Sequence, residues 1–325
     1  MTSSTVISGT RPVIIDTDPG VDDAWAILYL AAQTDIEIVG VGAIHGNVPT
    51  QQAAANALRI LDVAGLTDVP VAVGHPVPLQ QPLHTSEVVH GTDGLGGHAG
   101  PPSGRAPSAE SAAEQLVRLA RTHAGELTVL SLAPLTNIAL ALRLEPALPQ
   151  LVREIVYMGG AIRVPGNTSA WADANTWHDP EAGEEVMRAG FDMRMVPMDV
   201  TESAWVDTEW LEEIASHDTP AARFATQVLD TYVGIYSQLN GRKGCVMHDP
   251  LAAALMIDST LATYEEHRVL VELVGHCRGA TLIDGRVGFP PEMSSITDGR
   301  RPVRIATTAD AATAMDRVRR ALINS

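Results

Sequence analysis

A chain of 325 residues with 39 Asp and Glu against 22 Lys and Arg carries a formal net charge of −17 at pH 7. That balance argues against nucleic acid or an anionic membrane as partner, since both need basic surface. With 45% apolar and 19% charged residues the composition is that of a folded globular protein, and two cysteines, Cys245 and Cys277, are too few for a disulfide framework or a cysteine zinc site.

The first residues, MTSSTVISGT, lack a basic n-region and an apolar run, and no stretch reaches the about 18 apolar residues of a membrane span. A cytoplasmic setting is expected. Residues 1–10 read as a flexible tail, and 11–325 as one α/β domain. Val13-Ile14-Ile15 predicts a strand, followed by a helix through Ala24–Leu28. Ile36–Ile44 and Val69–Val73 predict strands around a helix over Gln51–Val63. A Gly/Pro-rich loop over 74–108 precedes a helix near 109–123, a strand at Leu127–Leu130 and a helix over Leu135–Leu144. Ile155–Met158 predicts a strand, 159–178 a second long loop, Asp179-Pro180 a helix start, and Met193–Pro197 another strand. Residues 208–257 read as mostly helical, 268–283 as one or two strands, and Val303–Ile305 as a strand before a final helix. Alternation of short β-branched runs with helices predicts an open, mostly parallel twisted sheet with helices on both faces. Ligands of such sheets bind beyond the carboxyl ends of the strands.

The segment DTDPGVDDAW sets Asp16, Asp18, Asp22 and Asp23 around a Pro19-Gly20 bend. One or two of these carboxylates suit a helix N-terminus; four of them ask for a hard cation. His178-Asp179-Pro180 and His248-Asp249-Pro250 both have the form of an ordinary helix start, and either histidine could serve as an acid or base. His90-Gly91-Thr92-Asp93-Gly94 lies in the first long loop, where a bland surface loop and a ligand-facing one have the same letters. In the second, Asn167, Asp173 and Asn175 stand beside Trp171 and Trp177. These residues suit either turns or the reading of several hydroxyls with a ring stacked alongside.

Together these motifs resemble the nucleoside hydrolase family, the inosine–uridine-preferring ribohydrolases. The resemblance rests on Asp16-Thr17-Asp18-Pro19-Gly20-Val21-Asp22-Asp23-Ala24-Trp25-Ala26, Gly46-Asn47, Ala133–Ala139, Met158-Gly159-Gly160, Asn167, Asn175 and His248-Asp249-Pro250. It implies bound Ca2+, with Asp18, Asp23, Asp249 and the Leu132 carbonyl as ligands. It implies a nucleoside substrate whose ribose is held by Asp22, Asn47, Asn167, Asp173 and Asn175. His248, His90 and Tyr236 would lie on the base side, with Asp23 as base toward water and His248 assisting the departing nucleobase. It further implies a homodimer or homotetramer, places His248-Asp249 in the site, and leaves Asp179 as a helix cap. Asp16 is left a supporting role.

One departure stands out: Asp173-Ala174-Asn175 replaces the family's usual Glu-Phe-Asn. Aspartate is one methylene shorter, so its hold on a hydroxyl is expected to be indirect, and Trp171 or Trp177 is positioned in sequence to refill the lost phenyl volume. Two rival readings share the strand-end aspartates: a haloacid dehalogenase-type Mg2+ phosphatase, and a catalytically silent nucleoside-binding protein.

Overall fold

The computed structural model describes residues 9–286, 293 and 296–325; most of the expected N-terminal tail lies outside them. Among the described residues the strands are β1 Arg11–Thr17, β2 Ile36–Ala43, β3 Val71–Val73, β4 Thr128–Ser131, β5 Glu154–Met158, β6 Met193–Val196, β7 Trp205–Val206, β8 Cys245–Val246, β9 Ala262–His267, β10 Val269–Val271, β11 Thr281–Ile283 and β12 Val303–Ala309. Eight of them form one sheet in the order β3-β2-β1-β4-β5-β6-β12-β9. Every pairing is parallel except β12 with the edge strand β9, which is the mostly parallel α/β fold the sequence predicts.

Because successive side chains point to opposite faces of a strand, β1 feeds two cores. Val13 and Ile15 enter the layer built with the helices Val21–Ala31, Thr50–Val63, His248–Ile257 and Ala311–Asn324; Ile14 enters the layer built with Ala112–Thr122, Thr136–Leu144 and Pro180–Arg188. A strand covered on both faces needs a continuous apolar run, and Val13-Ile14-Ile15 supplies it. The chain leaves β1 toward β2 and β3 on one side, then returns to β4 on the other. The carboxyl ends of β1 and β4 therefore flank the topological switch point, where a crevice opens.

Three features differ from the sequence expectation. Both long loops contain a one-turn helix, Glu87–His90 and Ala174–His178, too short to leave an apolar period. The region after 257 contributes β9, an exposed edge strand whose polar letters Thr-Tyr-Glu-Glu-His conceal it. Lastly, the two-residue strand β8 lies inside the stretch 208–257 that reads as helical, and it pairs antiparallel with β7 just before that stretch. No helix among the described residues is long and apolar enough to cross a membrane.

Candidate active site

The acidic turn is built by local bonds. Gly20 begins the helix Val21–Ala31, and its N–H donates to Asp23 Oδ2 at 2.9 Å. Thr17 donates its hydroxyl to Asp23 Oδ1. The segment after β2 closes over this turn: the Asn47 N–H donates to Asp18 Oδ2 at 2.6 Å, and Asn47 Nδ2 to Asp23 Oδ2 at 3.1 Å. That approach requires glycine at position 46, where φ is +155° and a Cβ would lie 1.9 Å from Asp18 Oδ2. Behind the turn, Asn137 Nδ2 donates to Asp16 Oδ1 at 2.8 Å, so Asp16 sits within the wall.

Asp249 arrives from the helix His248–Ile257, packed beside Val21–Ala31. Asp22, Asp23 and Asp249 each bring an oxygen within 4.8 Å of the others, a group that could hold a metal ion. All three are buried, as is Asp18, whose Oδ1 has no partner among the described residues. Burial, then the Asp23 charge, lifts the Asp22 carboxyl to about 7; burial, then neighbouring aspartates, holds Asp18 and Asp249 well above the ordinary range. Burial likewise raises Asp16 to about 7 against the Asn137 bond.

One cleft collects ten of the sequence-predicted residues: Asp22, Asn47, His90, Leu132, Asn167, Asp173, Asn175, Tyr236, His248 and Asp249 all line it, while Asp18 and Asp23 do not. The Leu132 carbonyl, just beyond β4, accepts from Asn175 Nδ2 at 2.9 Å, and the same amide donates to the Met158 carbonyl at 2.9 Å. Asn167 Oδ1 accepts from Ala174 N–H. Asp173 caps the helix Ala174–His178, its Oδ2 accepting from the N–H groups of Asn175 and Thr176; its buried Oδ1 has no hydrogen-bond partner among the described residues. The shorter acid thus serves the backbone with one oxygen. Neither tryptophan refills the phenyl volume: Trp171 is exposed and Trp177 packs against His84, and neither lines the cleft.

His90 Nδ1 accepts from the Val21 backbone N–H at 3.1 Å. Because that amide can only donate, the imidazole proton belongs on Nε2, and burial lowers the ring to about 3. His90 is therefore a neutral donor at physiological pH. Its ring lies 5.2 Å from that of Tyr232, itself 4.7 Å from Tyr236. Tyr236 Oη and His248 Nε2 are 2.9 Å apart, and Thr201 Oγ1 lies 2.7 Å from His248 Nδ1. Burial lowers His248 to about 4.

The two His-Asp-Pro copies part company here. Asp179 caps its helix, accepting from Ala182 N–H, Leu79 N–H and the Thr136 hydroxyl. Its neighbour His178 bonds the Ala174 carbonyl, away from the cleft. The helix of the second copy begins at His248 itself, which frees Asp249 from capping. Sequence reasoning missed Tyr232 and Thr201. Tyr232 was within reach, because it precedes Tyr236 by four positions on one helix and so shares its face; nothing in the local sequence marks Thr201.

An acid cluster at the switch point of a doubly wound sheet, walled by amides on one side and by tyrosine and histidine on the other, defines a site for a small polar ligand. The chain belongs to the inosine-uridine preferring nucleoside hydrolase family, whose model matches residues 13–316. It is 37% identical over 307 residues to probable uridine nucleosidase 2 of Arabidopsis thaliana, covering 94% of this chain and 95% of that one. It is 35% identical over 283 residues to the inosine-uridine preferring nucleoside hydrolase of Leishmania major, covering 86% and 90%. A solved plant nucleoside hydrolase matches the fold with a TM-score of 0.92 at 32% identity, over 97% of this chain and 99% of that one. Neither the site nor these likenesses support the phosphatase or silent-binding alternatives.

Proposed function

We propose that the cleft hydrolyses the N-glycosidic bond of ribonucleosides, uridine among them, to free base and ribose, with Ca2+ held among the aspartates. The carrying observation is the acid cluster itself. Three buried carboxylates converge within 4.8 Å, Asp18 adds an unpartnered buried oxygen, and no Lys or Arg lines the cleft among the described residues. Such crowding is unfavourable without a cation, and the all-oxygen donor set fits a hard ion; Ca2+ takes about six to eight oxygen ligands. Asp18, Asp23, Asp249 and the Leu132 carbonyl would hold it, with Asp22 between ion and sugar. When bound, the ion supplies Lewis-acid polarisation of the attacking water and of the vicinal sugar hydroxyls.

The chain's own groups do the rest. Asp23, steadied by Thr17, the Gly20 N–H and Asn47, accepts the proton of the attacking water. Asp22, Asn47, Asn167, Asp173 and Asn175 hold the ribose hydroxyls. As the C1′–N bond breaks, its electron pair moves to the base, and positive charge on the sugar is stabilised by the neighbouring carboxylates. His248, with its low pKa, donates a hydrogen bond to the departing anion and does not transfer a full proton; His90 and Tyr236 complete the base side. Attack from the acid side with departure opposite gives inversion at C1′.

A reducing-sugar assay over a nucleoside panel, with and without a Ca2+ chelator, tests this. Ribose release that falls on chelation, with the inverted anomer seen first by NMR, is expected. No release from any nucleoside, together with unchanged calcium content in Asp18→Ala, overturns it. A cytoplasmic homodimer or homotetramer belongs to the same proposal, and light scattering reads the stoichiometry.

A further inference from the structure

Thr201 lies on the one-turn helix Met198–Thr201 that follows β6, and it is completely buried. Its hydroxyl has one hydrogen-bond partner among the described residues, His248 Nδ1 at 2.7 Å. The two residues are 47 positions apart in sequence. Their meeting is arranged by a two-residue ladder: β7 pairs with β8, and the Met247 N–H donates to the Ala204 carbonyl at 2.9 Å. Thr201, Ala204 and Trp205 are thereby placed against Val246, Met247 and His248.

A buried hydroxyl that only accepts leaves its own hydrogen unpaired, at a cost of about 1–3 kcal/mol. Among the described residues Thr201 has no other acceptor, so its O–H donates to Nδ1. Tyr236 on the other ring nitrogen is only half-buried and has the Tyr232 ring alongside, so its hydroxyl is free to act as acceptor. A neutral imidazole carries a single N–H. With Nδ1 occupied as an acceptor, that N–H belongs on Nε2.

We infer that Thr201 is a positioning residue that holds His248 in the Nε2–H tautomer, the form that presents a donor to the departing base. This rests on the proposed role of His248. In the resting protein Nε2–H donates to Tyr236 Oη; in the reaction it turns its hydrogen bond to the base nitrogen that receives the bond's electron pair. No proton leaves the ring, and the released anion takes its proton from water. Thr201 is buried behind the cleft and is not among the residues that line it; it acts by excluding the wrong tautomer.

The test compares Thr201→Val, Thr201→Ser and His248→Ala on uridine and on p-nitrophenyl riboside, whose leaving group is stable without a donor. Thr201→Val is expected to lower kcat on uridine about 10- to 100-fold, the range for a group that orients another, with KM moved by less than about threefold. Thr201→Ser is expected to restore it, and turnover of p-nitrophenyl riboside is expected to persist in both Thr201 variants, which also shows that they fold; the folding of His248→Ala is read from its far-UV circular dichroism and Tm. The 15N shifts of the His248 ring should move from the Nε2–H pattern toward a tautomer mixture in Thr201→Val alone. If His248→Ala is severely slow on uridine while Thr201→Val turns over normally, the inference about Thr201 is overturned and the role of His248 stands. If His248→Ala is itself unimpaired on uridine, the proposed role of His248 falls and takes the inference with it.

Discussion

Gly20→Ala isolates the geometry of the acid turn, because it adds one methyl without asking the backbone to move. Gly20 has φ −93° and ψ −162°, a conformation open to alanine. The added Cβ would lie 2.4 Å from His90 Nδ1 and 2.7 Å from Asn47 Nδ2, where about 3.5–4 Å is the comfortable separation. Ring and amide must each retreat by about 1 Å. The retreat removes the Val21 N–H to His90 bond and stretches that from Asn47 to Asp23. A neutral bond is worth about 0.5–1.5 kcal/mol and one to a charged group about 1.5–3, so the loss is about 2–3 kcal/mol. For a domain of this size that is a fall in Tm of about 5 °C. A 1 Å displacement of positioning groups costs about 100-fold in turnover, read as kcat/KM on uridine. A double-mutant cycle with His90→Ala is the sharper readout. Removing the ring relieves the larger clash, so the two stability losses should fail to add by about 1 kcal/mol or more. Additive losses, with kcat/KM of Gly20→Ala within about threefold of the parent, would refute the reasoning.

Three further outcomes follow from the structure. Adding Ca2+ to metal-stripped protein should raise Tm, by about 2.7 kcal/mol of stability at 100-fold excess over Kd, and Asp249→Asn should blunt the rise; a Tm indifferent to Ca2+ would remove the ion from the cluster. Asp93 feels burial that opposes ionisation, yet the N–H groups of Leu95, Gly97 and Ala99 outweigh it and hold its carboxyl below the ordinary value. A depressed folded pKa contributes stability that is fully present above the unfolded pKa and lost as pH falls through the folded one. Amide-exchange protection at Leu95 and Gly97 should therefore be flat from about pH 7 to 5 and fall only in stronger acid; Asp93→Ala should abolish it throughout, and a loss already complete at about pH 5 would count against the bonding pattern. Arg300, buried, forks onto Glu184 and Asp298 and bonds the Val269 carbonyl. Arg300→Met should cost about 3 kcal/mol in urea unfolding by stranding the acids, with kcat on uridine unchanged; a stability within about 0.5 kcal/mol of the parent would show the fork to be idle.

Much of the fold was legible because its elements carry local signals. Val13-Ile14-Ile15 is continuous and apolar since both faces of β1 are covered, and Asp179-Pro180 is the ordinary helix start that its letters announce. What stayed hidden was short or paired at a distance: one-turn helices at Glu87–His90 and Ala174–His178 are shorter than any period. The polar edge strand β9 takes its identity from β12, about forty residues further on. At the candidate site the acids announced themselves by crowding, whereas Trp171 and Trp177, eligible by proximity in sequence, point elsewhere.

By itself the sequence determined that four aspartates crowd one bend between a strand and a helix, since a charge density so costly is visible without knowing what surrounds it. It also determined the alternation that makes the sheet parallel and puts that bend at a strand's carboxyl end. Only the tertiary structure decided which atoms meet: Asp249 joins Asp22 and Asp23 because the helices Val21–Ala31 and His248–Ile257 pack side by side. It alone decided that Val21 sets the tautomer of His90 and that Thr201 reaches His248. Repulsion and periodicity are properties of neighbours along the chain, whereas a hydrogen bond across 47 or 69 positions exists only after loop closure has brought its partners together.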